Sequence, residues 1–300
     1  MVAMDSGKPS PKIGIVTVTY NSQEVLPDFL ASLEAQTFRN FHLWAIDNAS
    51  KDDTLKTLAA AGMPNLTIIP NVSNTGIAAG NNQGILAALA ADCDSVLLLN
   101  NDVLFGPELI STLVKGLDEH GCSMVVPLIY YAQPPNRIWC AGGTFQQKYA
   151  ARSIHYGADE TDHGQFQRAR IVEYAPTCCT LIKREVFDSI GIMDERYFVY
   201  VDDNDFMYRA LQQNFVTYYL PAARLWHKVN SLTGTDSPFS QRYLSRNRAL
   251  FLRKHFSRAT VWKFTCLYRL NYLLRFLRGS DDYRSFLRKQ AGWSEGLRIR

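Results

Sequence analysis

Three carboxylates fall within four residues at Asp202, Asp203 and Asp205, between Tyr200 and Arg209. Side chains held that close repel one another, and the repulsion raises at least one pKa, a cost that a metal, a cation or a function must offset. A solvated acidic turn is the plain alternative. Tyr197, Phe198, Val199, Tyr200, Phe206 and Met207 flank the cluster, however, and argue against a fully wet surface. A carboxylate poised in this way can take a proton from an attacking hydroxyl. Arg209 lies four residues after Asp205, the helical spacing for an ion pair, which is a structural role.

Other polar groups follow apolar runs. Asn100-Asn101-Asp102 comes directly after Val96 to Leu99, and its carboxylate and amide oxygens suit a hard divalent cation that clamps a diphosphate. Asp47 follows the run Phe41 to Ile46, where a lone aspartate most often caps the next helix. Between Gly76 and Gly84 the sequence GIAAGNNQG puts small residues and side-chain amides where a backbone could approach a ligand, although turn chemistry alone also explains Gly and Asn. His227 stands alone after an apolar run, for which a satisfied structural histidine is the ordinary reading. Arg246 and Arg248 offer forked donors suited to a diphosphate or an acceptor phosphate, or else belong to a basic solvent face.

The elements that must position these groups are legible from periodicity. Ile13 to Thr19 is a β-branched run ending at Tyr20-Asn21-Ser22, and Val25, Leu26, Phe29, Leu30 and Leu33 then recur at helical spacing. A second strand, Phe41 to Ile46, leads to Ser50 or Asp52 as cap of a helix through Ala60. Leu66 to Pro70 is a third strand, followed by a helix to about Ala91. Val96 to Leu99, four apolar residues with no polar face, reads as a parallel strand covered on both sides. Strands alternating with helices through residue 120 imply a Rossmann-like, doubly wound α/β sheet whose ligands gather at the carboxyl ends of the strands. Asn21, Asp47 and Asn100 to Asp102 all follow strand ends, so they converge on one crevice. Residues 121 to 240 mix short strands and loops with a helix start at REVFDSIG, and after Pro238 the chain becomes basic and helical.

The 300 residues, 47% of them hydrophobic, suffice for a substantial core. Six cysteines without zinc-ligand spacing, and no secretory segment or apolar run of eighteen, point to reduced thiols in the cytoplasm and against an integral helix. The net charge of +4 hides an asymmetry: residues 242 to 300 carry 15 Lys or Arg against 3 Asp or Glu, a balance of +12 that leaves −8 on residues 1 to 241.

Seven segments in order, VTVTYNS, IDNAS, NTGIAAGNNQGI, LLLNNDV, DERYFVYVDDNDFMYRA, LWHKVNSLTG and RNRALFLRKH, together resemble the inverting glycosyltransferases of family 2, particularly their rhamnosyltransferase-like branch. The resemblance spans roughly residues 13 to 255. It implies a GT-A fold and transfer of a sugar, rhamnose by preference, from a dTDP- or UDP-sugar to a cell-surface glycan or lipid-linked acceptor. By the same resemblance Asp47 accepts the ring N–H of uracil or thymine. Thr19, Asn21, Gly76, Gly80, Asn81 and Asn101 join it in the donor site, and Asp202 contacts substrate. Asp203 falls on the second acid of the family's Glu-Asp-x-Asp pattern, the usual base. Asp102 and His227 match ligands of a divalent metal. Imidazole favours Mn²⁺ over Mg²⁺, while Asn100 stands where many relatives carry a first carboxylate, leaving Asp102 as the anionic ligand.

The expected organisation is a catalytic domain over residues 1–240, with a nucleotide-binding half at about 12–120 and an acceptor half at about 121–240, then a basic helical extension over 241–300. In that extension Trp262, Phe264, Leu267, Tyr268, Leu270, Leu274 and Leu277 interleave with Lys263, Arg269, Arg275 and Arg278, which suits a helix lying on an anionic bilayer at the inner face of the cell membrane, or one packed on the domain's own core. Nothing in it matches a nucleic-acid-binding module. The competing functional classes are an inactive nucleotide-sugar-binding subunit and a basic membrane- or nucleic-acid-binding module on an α/β scaffold.

Overall fold

The computed structural model describes residues 10–229 and 237–299. The end of the LWHKVNSLTG segment, from Asn230 on, lies outside the described residues.

The first half is built from parallel strands with helical crossovers. Strands β1 (Ile13–Thr19), β2 (Phe41–Asp47), β3 (Leu66–Pro70) and β4 (Ser95–Leu99) pair in the order β3-β2-β1-β4. Helices α1 (Leu26–Glu34), α2 (Thr54–Ala60) and α3 (Ile77–Ala90) connect them. All five residues of β4 are buried, and they divide between two cores. Leu97 and Leu99 join α1 and α4 (Leu109–Glu119) on one face, while Val96 and Leu98 join α3 on the other. The uninterrupted apolar run follows from that double coverage, since alternate residues each meet a helix layer.

The second half extends the same sheet with mixed polarity. The remaining strands are β5 (Val103–Phe105), β6 (Met124–Tyr131), β7 (Ile138–Cys140), β8 (Gly143–Gln146), β9 (Arg152–His155), β10 (Arg170–Val172), β11 (Cys179–Lys183) and β12 (Thr217–His227). Strand β11 runs antiparallel to both β4 and β6, and β12 lies parallel to β6. Strand β4 is thus parallel to one neighbour and antiparallel to the other, so the buried run does not identify an all-parallel sheet. Strands β8 and β9 form a separate hairpin. Helices α5 (Arg184–Ile190) and α6 (Asp202–Gln212) cover the α3 face, on which Val186 and Phe206 are buried.

The basic C-terminal part is three helices, α7 (Pro238–His255), α8 (Arg258–Leu277) and α9 (Tyr283–Gly296). Leu250 and Phe251 of α7 belong to the same core as α3 and α6. A smaller cluster, with Ala249, Leu252, Phe264, Tyr272 and Trp293, joins the three helices. Helices α7 and α9 touch backbone to backbone: a Cβ on Gly296 or Gly292 would meet the carbonyl oxygen of Arg246 at 1.9 Å or of Arg242 at 2.5 Å. Among the described residues no helix is long and apolar enough to cross a membrane.

Candidate active site

The carboxyl ends of the parallel strands are tied together by the polar residues that follow them. Thr19 Oγ1, ending β1, donates to Asp47 Oδ1 at 2.9 Å, and Asn101 Nδ2 donates to the Val18 carbonyl at 2.7 Å. Asp47 is fully buried, and it also accepts from the Ser50 amide at 3.0 Å and Ser50 Oγ at 2.5 Å. The N-cap position of α2 falls on Asp53, without a side-chain cap bond, rather than on Ser50 or Asp52; Asp52 Oδ1 accepts from the Thr54 amide at 3.1 Å from one residue before it. Asn21, in left-handed conformation (φ 50°), accepts from the Lys51 amide and donates its own amide to Ser50 Oγ, joining the loops after β1 and β2. Three of the roughly four acceptor sites of the Asp47 carboxylate are thus taken by protein donors.

The stretch from Gly76 to Gly84 faces protein. A Cβ on Gly80 would lie 2.8 Å from a Val18 methyl, and one on Gly84 2.3 Å from Val16, so these glycines let α3 lie close on β1. Gly76, at φ 87°, comes so near Phe198 that a Cβ would sit 2.4 Å from its carbonyl oxygen. Asn81 and Asn82 reach Met193: Asn81 Nδ2 lies 3.5 Å from its sulfur, and Asn82 exchanges two hydrogen bonds with its backbone. The segment therefore anchors the chain that leads into the acidic cluster.

That chain is strained. Phe198, Tyr200 and Val201 all have positive φ (56°, 64° and 66°), a conformation costing on the order of 1–3 kcal/mol per residue and kept only where surroundings impose it. The Ile77 amide donates to the Phe198 carbonyl at 2.6 Å. The fully buried Asn247 of α7 directs its amide nitrogen at the carbonyls of Tyr197, Val199 and Tyr200, at 2.6, 2.7 and 2.9 Å. Helix α6 starts immediately afterwards, and its first turn holds all three acids.

Those acids have different surroundings. Asp205 is fully buried and meets Arg209 at 2.9 Å, Lys254 at 2.8 Å and His255 at 2.7 Å. Burial opposes its ionisation, but the His255 hydrogen bond and the Lys254 and Arg209 charges outweigh burial and hold the carboxyl below the usual range. The i, i+4 pair with Arg209 thus forms as its spacing predicts. Asp202 is buried, and burial followed by the neighbouring Asp203 charge pushes it up to about 8. Asp203 is raised by burial as well, yet it accepts from the Tyr174 hydroxyl and the Asn204 amide, both at 2.7 Å, bonds that favour its ionised form.

Asp102 and His227 meet across the sheet, 125 positions apart. Strand β5 pairs with β12, setting Val103 opposite His227, and His227 Nε2 lies 3.0 Å from Asp102 Oδ1. That separation matches two adjacent ligands on a cation bound at about 2.1 Å. Both side chains are nearly buried, and among the described residues no group of three or more His, Cys, Asp or Glu could hold a metal. The pair fits a divalent ion that takes its other ligands from phosphate and water.

A continuous set of contacts links the two ends. Trp139 packs edge-on to His227 at 4.7 Å and to His155 at 5.1 Å; His155 stacks on Tyr174 at 5.6 Å, and Tyr174 bonds Asp203. Cys178 is buried and lies within the field of both Asp102 and Asp203, and burial is the first cause that raises its thiol. None of Trp139, His155 and Tyr174 stands out in the sequence, since each sits in a short, non-periodic segment. Arg246 and Arg248 are turned elsewhere. Arg246 bonds Glu295, the Arg196 carbonyl and Asn247, while Arg248 bonds the carbonyls of Tyr149 and Ala150 and faces the Tyr268 hydroxyl. Their geometry supports packing of the C-terminal helices rather than phosphate contact.

A parallel half joined to a mixed half that carries an acid-rich helix is the architecture of the GT-A class of glycosyltransferase. The chain belongs to glycosyl transferase family 2, whose sequence model matches residues 14–191. It is 28% identical over 247 residues to the N-acetylglucosaminyl-diphospho-decaprenol L-rhamnosyltransferase of Mycobacterium tuberculosis, covering 74% of this chain and 78% of the relative. It is 23% identical over 248 residues to the dTDP-rhamnosyl transferase RfbF of Shigella flexneri, covering 80% and 79%. In fold it is similar to a mannosyltransferase from Pyrobaculum calidifontis solved with GDP-Man and Mn²⁺, with TM-score 0.59, 13% identity and coverage of 95% of this chain and 74% of that one. The protein is a glycosyltransferase.

Proposed function

We propose that the protein transfers a hexose, rhamnose by preference, from a dTDP- or UDP-sugar to a hydroxyl of a glycan or lipid-linked acceptor at the cytoplasmic face of the membrane, with inversion. The observation that carries this reading is the run of side-chain contacts that links the Asp102–His227 pair to Asp203. Residues 12–120 would bind the donor, with Thr19, Asn21, Asp47, Gly76, Gly80, Asn81 and Asn101 forming or supporting the nucleotide side. Residues 121–240 would receive the acceptor, beside Asp202, and residues 241–300 would brace this half.

Asp102 and His227 would hold Mn²⁺ or Mg²⁺, which supplies charge neutralisation for the departing diphosphate. Asp203 would take the acceptor proton as the hydroxyl attacks the anomeric carbon opposite the leaving group. Tyr174 and the Asn204 amide would keep Asp203 ionised while Asp202 holds a proton, so the Asp202–Asp203 pair carries one charge rather than two.

The test is a mass-spectrometric screen of dTDP-, UDP- and GDP-sugars, with and without excess chelator. We expect dTDP-rhamnose to be consumed, the reaction to stop with chelator, and Mn²⁺ or Mg²⁺ to restore it. Undiminished turnover in excess chelator would remove the metal from the scheme, and consumption of GDP-sugars alone would overturn the donor assignment.

A further inference from the structure

Helix α8 has two apolar faces and packs only one of them. Phe264 and Tyr272 are buried towards α7 and α9, and Tyr268 stacks on Trp293 at 4.5 Å, so the helix is already fixed to the protein. At 100° per residue Trp262, Leu267, Leu270, Leu273, Leu274 and Leu277 fall on a separate arc about 140° wide. All six are exposed, Trp262 at 72% and Leu277 at 67%. An apolar stripe this continuous on a folded surface marks a contact site rather than scattered exposed side chains.

We propose that this face of α8 is a docking surface for an anionic lipid membrane, lying flat against it. Charge selects the occupant. The helix contains no Asp or Glu, and the exposed Lys263, Arg269 and Arg278 lie within or beside the arc. A second copy pairing through the same face would set these cations against one another, and aliphatic leucines offer nucleic-acid bases little to stack on. Anionic headgroups with acyl chains beneath them satisfy both halves of the pattern. The helix is too polar to cross a bilayer, which leaves it in the interface.

The buried side of α8 also reaches towards the chemistry. Tyr268 faces Arg248, and Arg248 holds the Tyr149 and Ala150 carbonyls just before β9, whose Ser153 bonds Asn204 beside Asp203. Docking at α8 would therefore seat the acceptor half close to the lipid surface. The surface does not depend on which sugar or acceptor the enzyme uses.

The test uses the whole protein with vesicles of phosphatidylcholine alone or mixed with phosphatidylglycerol, and no acceptor. Cys266, the exposed one of the six cysteines, lies on the same arc and accepts a polarity-sensitive fluorophore without mutation. We expect co-sedimentation with the anionic vesicles at low salt, a blue shift of the probe, and release as salt shortens the Debye length below about 10 Å. Trp262→Ser/Leu270→Ser/Leu277→Ser should weaken binding by about tenfold or more, while melting and nucleotide binding stay as in the parent. Lys263→Gln/Arg269→Gln/Arg278→Gln should abolish the preference for anionic over neutral vesicles. No binding at low salt, binding unchanged by the apolar triple variant, or a dimer in light scattering that the same variant dissociates would overturn the proposal.

Discussion

Each of the three acids at the start of α6 has a different set of donors, and the donors assign the work. Asp205 is surrounded by Arg209, Lys254 and His255 and serves as an anchor. Asp203 has the Tyr174 hydroxyl and the Asn204 amide, whereas Asp202 is pushed up to about 8 by burial and by Asp203. If Asp203 is the proposed base it must be ionised to act, and because burial raises its pKa the rate should fall with falling pH above the ordinary aspartate value of about 3.9. Tyr174→Phe removes a hydrogen bond to the charged form, so the acidic limb of kcat should move upward by about one pH unit. A limb that stays in place, or moves to lower pH, would show that Tyr174 does not act on the base.

At the scale of elements, the acids are aimed by a loop that cannot hold its own shape. Three residues with positive φ precede α6, and Asn247 of α7 supplies the donor shared by three of their neighbouring carbonyls. Asn247→Ala removes that donor from the buried Tyr197 carbonyl and the half-buried Val199 and Tyr200 carbonyls, at a cost of about 1–3 kcal/mol. We expect a fall in kcat of about tenfold or more from misplaced Asp203, with nucleotide affinity unchanged. Steady-state kinetics with a thermal melt checks this; a lower melting temperature with parental kcat would reduce Asn247 to a purely structural part.

The same elements explain what could be read in advance. Strands β1, β2 and β4 announce themselves as apolar runs closed by Asn or Asp, because burial on both faces fixes their composition, while the edge strand β3 is only half-buried. His227 and Asp102 are hard to join from sequence, since β5–β12 pairing is a long-range contact without local periodicity. Trp139, His155 and Tyr174 carry no local signal for the same reason. Gly76 and Gly80 suggest a ligand loop, but the absent Cβ atoms face Phe198 and Val18. Arg246 and Arg248 suggest phosphate because composition cannot reveal Glu295 or the Ala150 carbonyl beside them.

For the whole molecule, the parallel half supplies Asp102, the last strand of the mixed half returns His227 to it, and ring contacts through Trp139, His155 and Tyr174 link this pair to Asp203 of α6. The C-terminal helices complete this half: α7 shares its core and holds the loop before α6, while α9 closes on α7 through Gly292 and Gly296. The separation of tasks predicts that base and cation pair can be lost independently. The most direct measurement is turnover of Asp203→Asn at saturating donor, alongside nucleotide affinity in the presence of Mn²⁺. A general base contributes about 10²–10⁴-fold, so turnover should fall by that much while affinity stays at the parental value, because the carboxamide keeps the volume and the Asp102–His227 pair is untouched. Near-parental turnover in Asp203→Asn would contradict the account.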